Sequence, residues 1–427
     1  MSTQQHRAWF TLGLALLMAA LSWVAWDNWG RFLYAPPPTP PTLSSAPQVL
    51  AQGSYLAQIG GCIACHTDKG SETLAGGRRI ATPFGDVFSS NLTTSAQHGI
   101  GQWTFSDFEN AMRWGRSRNG RLLLPVFPYN HTSAFSTEDV QALFAWLQTV
   151  PAVEQAPPAH RLAWPLGTQP AIAVWRSLFF SPAQFKTNPT ESDAWNRGAY
   201  LVQTAGHCAT CHGQRNAWGS FPTLDDLSGG FLSAQMWVAP SLTNPAHTSL
   251  ARSSVQEVAQ LLRTGHNPWA QVSGPMAEFV QLSSQYLNET DASAMAVYLK
   301  SRSATHSMPN VPGPLAQTSP QGQALYTTHC AGCHGSNGQG QTNQYPALAQ
   351  NPAVVLPQPD NLIQATLYGG FGPSTALRPR PYGMPPFLFT LNNQQIAQVL
   401  NHIRSQWGNQ APAVTPMQVD KVRAASH

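Results

Sequence analysis

A chain of 427 residues suits two to four ordinary domains rather than one compact core. Only 10% of its residues are charged, far below the roughly 25% of an average soluble protein, which argues against a freely diffusing cytosolic protein. The formal net charge of +4 comes without a dense Lys/Arg run, which excludes the basic stripe that nucleic acid requires. A hydrophobic content of 42% excludes disorder throughout.

The first predicted element lies in residues 1–34. Ala8–Trp26 carries no charge and as a helix would span about 28 Å, close to one bilayer core. Trp9, Trp23 and Trp26 stand near its ends, where indoles favour the membrane interface. The competing reading is a cleaved signal peptide, with a small-x-small pair at Ala20 and Ser22. The length of the run and the bulky residues after that pair favour an uncleaved anchor. Arg7 precedes the segment with no acid beside it, while Asp27 offsets Arg31 after it, which favours an internal amino terminus and an exported body. Residues 35–46 read as a semi-rigid polyproline spacer.

Three repeated units follow, expected at 47–155, 189–303 and 319–410, with linkers at 156–188 and 304–318 and a tail at 411–427. Each begins with a short helix bearing a glycine: Gly53 with Tyr55 and Leu56, Gly198 with Tyr200 and Leu201, and Gly322 with Tyr326. Each ends in an amphipathic helix. Val140, Leu143, Phe144 and Leu147 follow a helical period after a cap at Ser136, and Ile396, Val399, Leu400 and Ile403 do so after Asn392. Met295, Tyr298 and Leu299 after Thr290 give a weaker pattern. Such units, loop-rich between two helices, would be stabilised by a large buried prosthetic group. The tail beyond Ala411 reads as extended, either a clasp or a disordered end.

All six cysteines fall into three pairs, Cys62/Cys65, Cys208/Cys211 and Cys330/Cys333, each followed at once by His66, His212 or His334. A disulfide framework would not need that histidine three times. Cys-x-x-Cys-His is the attachment signature of c-type haem: the thiols form thioethers and the histidine reaches the iron. Zinc needs four ligands per site, and each unit offers a single pair. A thioredoxin-like redox pair would leave the histidines and the triplication unexplained. Three covalently bound haem c groups are therefore expected, with His66, His212 and His334 as proximal ligands.

The opposite iron position commonly takes methionine. Met276 in Gly274-Pro275-Met276 is the expected ligand in the second unit, ahead of Met236 and Met295. Met384 in Tyr382-Gly383-Met384-Pro385 is expected in the third. The first unit has Phe127 where the methionine would stand. Met112 falls in a helical pattern and reads as packing, which leaves His131, four residues past Phe127, as the candidate ligand. An open or water-bound iron is the alternative, and His98 is less well placed. No paired carboxylates or Ser/His/Asp set points to hydrolysis, and no catalytic residue is assigned.

The body from 47 to 410 resembles the triheme cytochrome c subunits of bacterial membrane-bound dehydrogenases. The resemblance rests on Cys62-Ile63-Ala64-Cys65-His66-Thr67, Thr82-Pro83-Phe84-Gly85, Asn91-Leu92-Thr93, Gly206-His207-Cys208, Ser241-Leu242-Thr243-Asn244 and Ile403-Arg404-Ser405-Gln406-Trp407-Gly408-Asn409. It implies a mainly α fold of three class I cytochrome c domains in tandem behind the amino-terminal transmembrane helix. It also implies a periplasmic location on the cytoplasmic membrane and an electron-transfer role rather than an enzyme acting alone. Phe127 to His131 and Trp195-Asn196-Arg197-Gly198 look more like the branch serving molybdopterin/iron–sulfur oxidoreductases of aldehydes, nicotinate or isoquinoline-like rings. The related branch serves quinoprotein alcohol or flavin gluconate and sorbitol dehydrogenases. Electrons would pass to ubiquinone or a terminal oxidase. Two rival readings are a peroxidase-like enzyme with an open first haem and a cytochrome subunit of a terminal oxidase.

Overall fold

The computed structural model describes residues 3–30, 44–303 and 313–425. Most of the expected polyproline spacer and of the 304–318 linker lies outside the described residues. The fold is mostly helical, with short two- and three-stranded ribbons. Two compact units form: Met1–Gly53 with Ala75–Ile80 and Phe84–Gln184, and Ser54–Leu74 with Ala81–Pro83 and Phe185–His427.

In the smaller unit, helix Thr3–Ala25 contains the apolar run, with the side chains of its membrane-length stretch exposed. Helix Phe105–Trp114 starts on a capping box made by Thr104 and Asp107 and stops at Gly115, whose φ of 53° suits a left-handed cap. Helix Thr137–Leu147 is capped by Ser136, as its sequence predicts. Val140, Leu143, Phe144 and Leu147 are buried, and Phe144 stacks on Phe108 with centroids 5.2 Å apart. Met112, in the same helix as Phe108, is buried as well, consistent with packing. The segment 156–188 is more than a linker. Arg161–Leu162 pairs antiparallel with Gly85–Asp86, and Gln169–Phe179 forms a helix capped by Thr168.

The larger unit is built on pairs of crossing helices. Asp193–Gln203 packs on Glu289–Ser303, and Pro320–His329 packs on Asn393–Ser405. Helix Glu289–Ser303 is capped by Asn288, whose side chain accepts from the Asp291 N–H at 2.8 Å. Asn392 caps the last long helix in a box with Gln395, as expected. The tail differs from an extended end. Pro416–Ala425 is helical and buries Val419 and Val422 in the core formed by Ile363, Leu367, Ile396 and Leu400. Arg423 fastens it, donating to the carbonyls of Leu388 and Leu391 and to Asn393.

Candidate haem sites

Each Cys-x-x-Cys-His motif occupies a single helical turn directly after the glycine-bearing helix. The turns are Cys62–His66, Ala209–His212 with Cys208 just before it, and Ala331–His334 with Cys330 just before it. All three lie in the larger unit. A turn places the two thiols and the histidine on adjacent edges of one short element, which a flat ligand can meet together. The six cysteines are not disulfide-bonded.

In the second and third motifs the histidine is oriented by its own backbone surroundings. Nδ1 of His212 lies 2.8 Å from the Pro240 carbonyl oxygen, and Nδ1 of His334 lies 3.0 Å from that of Pro346. Nδ1–H donates to the carbonyl in each case, so the Nε2 lone pair is the one presented outward. Burial holds both rings below the ordinary histidine pKa and so favours the neutral, ligating form. Sequence reading missed these carbonyls, although a Pro-x-Leu triplet follows both motifs (Pro240-Ser241-Leu242 and Pro346-Ala347-Leu348). In the third motif the Tyr326 hydroxyl donates to the Gly335 carbonyl, directly after His334, and ties the first helix to the motif.

The first thiol of each motif is unsuited to thiolate chemistry. Burial, and then the partner thiol, pushes Cys62 and Cys208 up to about 12 and Cys330 up to about 11. Reactive thiols have depressed values instead. Among the described residues no group of three or more His, Cys, Asp or Glu is placed to hold a metal ion. In the second and third motifs, two half-buried, unbonded thiols and a carbonyl-held histidine in one turn fit covalent haem c.

The first and second motifs approach one another. The Cys65 and Cys211 thiols are close enough to interact electrostatically, and a Cβ on Gly61 would stand 3.7 Å from His207 Nε2. The segment carrying the first motif is held by Tyr55, whose hydroxyl donates to Asp291 at 2.8 Å. Arg197 donates to both carboxylate oxygens of Asp291, also at 2.8 Å.

The sixth-ligand candidates separate by environment. Met295 is buried in the core helix Glu289–Ser303, and Met236 is buried in the apolar cluster of the carboxy-terminal region. Met276 is half-buried in the first turn of helix Gly274–Leu282, and Met384 is half-buried in the ribbon that pairs Gly383–Met384 with Gly370–Phe371. His131 sits in the short helix Tyr129–Thr132 of the smaller unit and is 0% exposed. His98 occupies a turn and is half-buried, its N–H bonded to Ser95 Oγ.

These motif turns, each directly after a glycine-bearing helix, define a c-type cytochrome. The cytochrome c family model matches residues 319–407. The cytochrome c subunit of the quinone alcohol dehydrogenase of Gluconacetobacter polyoxogenes is 36% identical over 393 residues, covering 88% of this chain and 84% of that one. The gluconate 2-dehydrogenase cytochrome c subunit of Pantoea cypripedii is 35% identical over 397 residues, covering 88% and 89%. A nicotinate dehydrogenase subunit of Pseudomonas putida is 34% identical over 422 residues, covering 96% of this chain and 35% of that longer protein. The chain belongs to the family of cytochrome c subunits of dehydrogenases.

Proposed function

We propose that this chain is the triheme electron-transfer subunit of a membrane-bound periplasmic dehydrogenase, passing electrons to ubiquinone or the respiratory chain. The single observation that carries this reading is the threefold motif turn, with the histidine Nδ1 carbonyl-held in two of the three. Cys62, Cys65, Cys208, Cys211, Cys330 and Cys333 would anchor three haem c groups, in three tandem cytochrome c domains. Haem c supplies a one-electron carrier in each. His66, His212 and His334 would be the proximal ligands, Met276 and Met384 the distal ligands in the second and third sites, and His131 the distal ligand in the first. The amino-terminal helix would hold the chain in the cytoplasmic membrane.

A molybdopterin/iron–sulfur catalytic partner is supported by Phe127 in place of methionine and by the likeness to the nicotinate dehydrogenase protein along 96% of this chain. The second reading, a quinoprotein or flavin partner, is supported by the likeness to the alcohol and gluconate dehydrogenase subunits. Purification from native membranes, with haem counting and cofactor analysis of whatever accompanies the chain, tests both. Three haems with molybdenum and iron–sulfur fit the first, and three haems with pyrroloquinoline quinone or flavin fit the second. A chain that carries three haems and copurifies with no dehydrogenase overturns the reading.

A further inference from the structure

Helix Thr3–Ala25 does not end in open space. The turn that follows it, Trp26–Gly30, seats Asn28 against helix Gln169–Phe179, leaving Asn28 only 2% exposed. The Asn28 side-chain amide donates to the Val24 carbonyl at 2.9 Å, the Ala173 carbonyl at 3.1 Å and Ser177 Oγ at 2.8 Å. Its side-chain oxygen accepts from Arg176 Nε at 3.0 Å, and its backbone carbonyl accepts from Arg116 at 2.9 Å. Val24, in the last turn of the apolar helix, packs against the Leu122, Ile172 and Ala173 cluster. A buried amide with this many partners fixes the level at which the two helices meet.

That level decides what the outer face of Gln169–Phe179 meets. The helix, QPAIAVWRSLF, carries one charge, and Arg176 is turned inward and buried. Val174 and Leu178, one turn apart, point outward at 44% and 59% exposure, and Trp164 nearby in the chain is 87% exposed. Trp23, Trp26 and Trp29 are exposed at the same end of the apolar helix. A charge-free outer face beside the end of a membrane-length helix, accompanied by exposed indoles, has the chemistry of the headgroup–acyl boundary.

We propose that helix Gln169–Phe179, with Trp164, is a lipid-contacting interfacial element that rests on the bilayer entered by helix Thr3–Ala25. The proposal depends on reading that helix as a retained anchor. It adds a second contact, so that the smaller unit is seated on the membrane rather than tethered above it. Lipid is the occupant because the face continues from the last turn of the apolar helix. A protein partner is the other outcome of the test.

The full-length holoprotein is reconstituted in nanodiscs of phosphatidylethanolamine and phosphatidylglycerol. The photo-crosslinker benzoylphenylalanine replaces Leu14, Trp164, Leu178 or Phe389 in separate variants. Phe389, 96% exposed in the larger unit, is the reference. Lipid adducts several-fold more abundant at 164 and 178 than at 389, with an adduct at 14, are expected. In native membranes the same two positions should again give lipid adducts. An adduct at 14 without one at 164 and 178, a protein adduct at those two positions, or equal labelling at 389 overturns the interfacial helix while leaving the anchor standing. Absence of an adduct at 14 overturns the anchor reading itself. Hydrogen exchange of the unsubstituted protein, in nanodiscs against detergent, should show added protection across 169–180.

Discussion

Gly198 lies so close to Ala294 that a Cβ on the glycine would collide with the Ala294 carbonyl oxygen. The same crossing recurs at Gly53 with the Ala142 carbonyl, within the smaller unit, and at Gly322 with the Gln398 carbonyl. In each, a first helix passes over a last helix at van der Waals range, so the glycine shared by the three repeats is a packing device. Alanine is normally the better helix former by about 0.5–1 kcal/mol. Gly198→Ala should nevertheless destabilise the protein by about 1–3 kcal/mol, because the helices must separate to admit the methyl. Denaturant unfolding followed by far-UV circular dichroism reads this, and an unchanged or raised midpoint would contradict the tight crossing.

The Pro346 carbonyl presents His334 as a neutral ring with Nε2 outward. With the third haem bound as proposed, His334→Ala should leave it attached, since Cys330 and Cys333 would hold it independently, while its iron would lose a strong-field ligand. The expected result is an unchanged haem count by mass, with one third of the low-spin absorbance converted to high-spin. Cys330→Ser with Cys333→Ser should instead lower the count by one. A preparation that contains zinc and no haem would remove the cytochrome reading for this unit.

Met276 and Met295 provide a contrast within one repeat. Met295 is a core side chain on a long helix, whereas Met276 stands half-buried at the start of a short one. With Met276 as the proposed distal ligand, Met276→His should lower the potential of the second haem by a substantial part of the roughly 0.8 V range that axial ligands span. Met295→Leu, close in volume, should cost under about 1.5 kcal/mol and leave all three potentials unchanged. Spectroelectrochemical titration decides, and a shift with Met295→Leu alone would reassign the ligand.

His131 is fully enclosed in a four-residue helix after Phe127 and Pro128. If it binds the first iron, His131→Ala should convert the first haem to a high-spin or water-ligated form, and His131→Met should raise its potential. A low-spin spectrum unaltered by His131→Ala would fail the assignment.

Much of this architecture is legible in the sequence because it rests on local rules. Ser136 and Asn392 are caps recognised by residue type and spacing, and the motif turns are contiguous in the chain. The glycine and tyrosine shared by the first helices are visible in sequence only as a repeat. Their meaning needs the carbonyl each glycine faces, far along the chain on another helix. The helix within 156–188 is concealed because its one charge is buried against Asn28, a partner 148 residues distant, so its pattern lacks a polar outer face. The tail helix is hidden for a similar reason. Val419 and Val422 gain their environment only when packed on Ile396 and Leu400. Arg404, fully buried and donating to the carbonyls of Pro412, Val354 and Leu356, joins the last core helix to two segments that no local pattern links to it.

Asp291 joins the helix of the second repeat to the segment carrying the first motif. Burial alone would raise its carboxyl pKa, but hydrogen bonds from Arg197 and Tyr55 outweigh that and hold it below the usual carboxylate value. An unfolded aspartate titrates near 3.9. A folded pKa below that value means the stabilisation is complete above about pH 4–5 and is lost as pH falls through the folded pKa. Removing one partner of a buried pair costs about 3–5 kcal/mol, and Arg197, with its side chain 35% exposed, brings the expected loss for Asp291→Ala to about 2–3 kcal/mol at pH 7. The gap in urea midpoint between the native protein and Asp291→Ala should therefore be constant from pH 7 to pH 5 and narrow below pH 4. Because Tyr55 bonds to the same carboxylate, Tyr55→Phe should reproduce part of the loss. A gap that widened on acidification would mean that Asp291 is protonated in the fold, and the Arg197 clamp would then be neutral-to-charged rather than an ion pair.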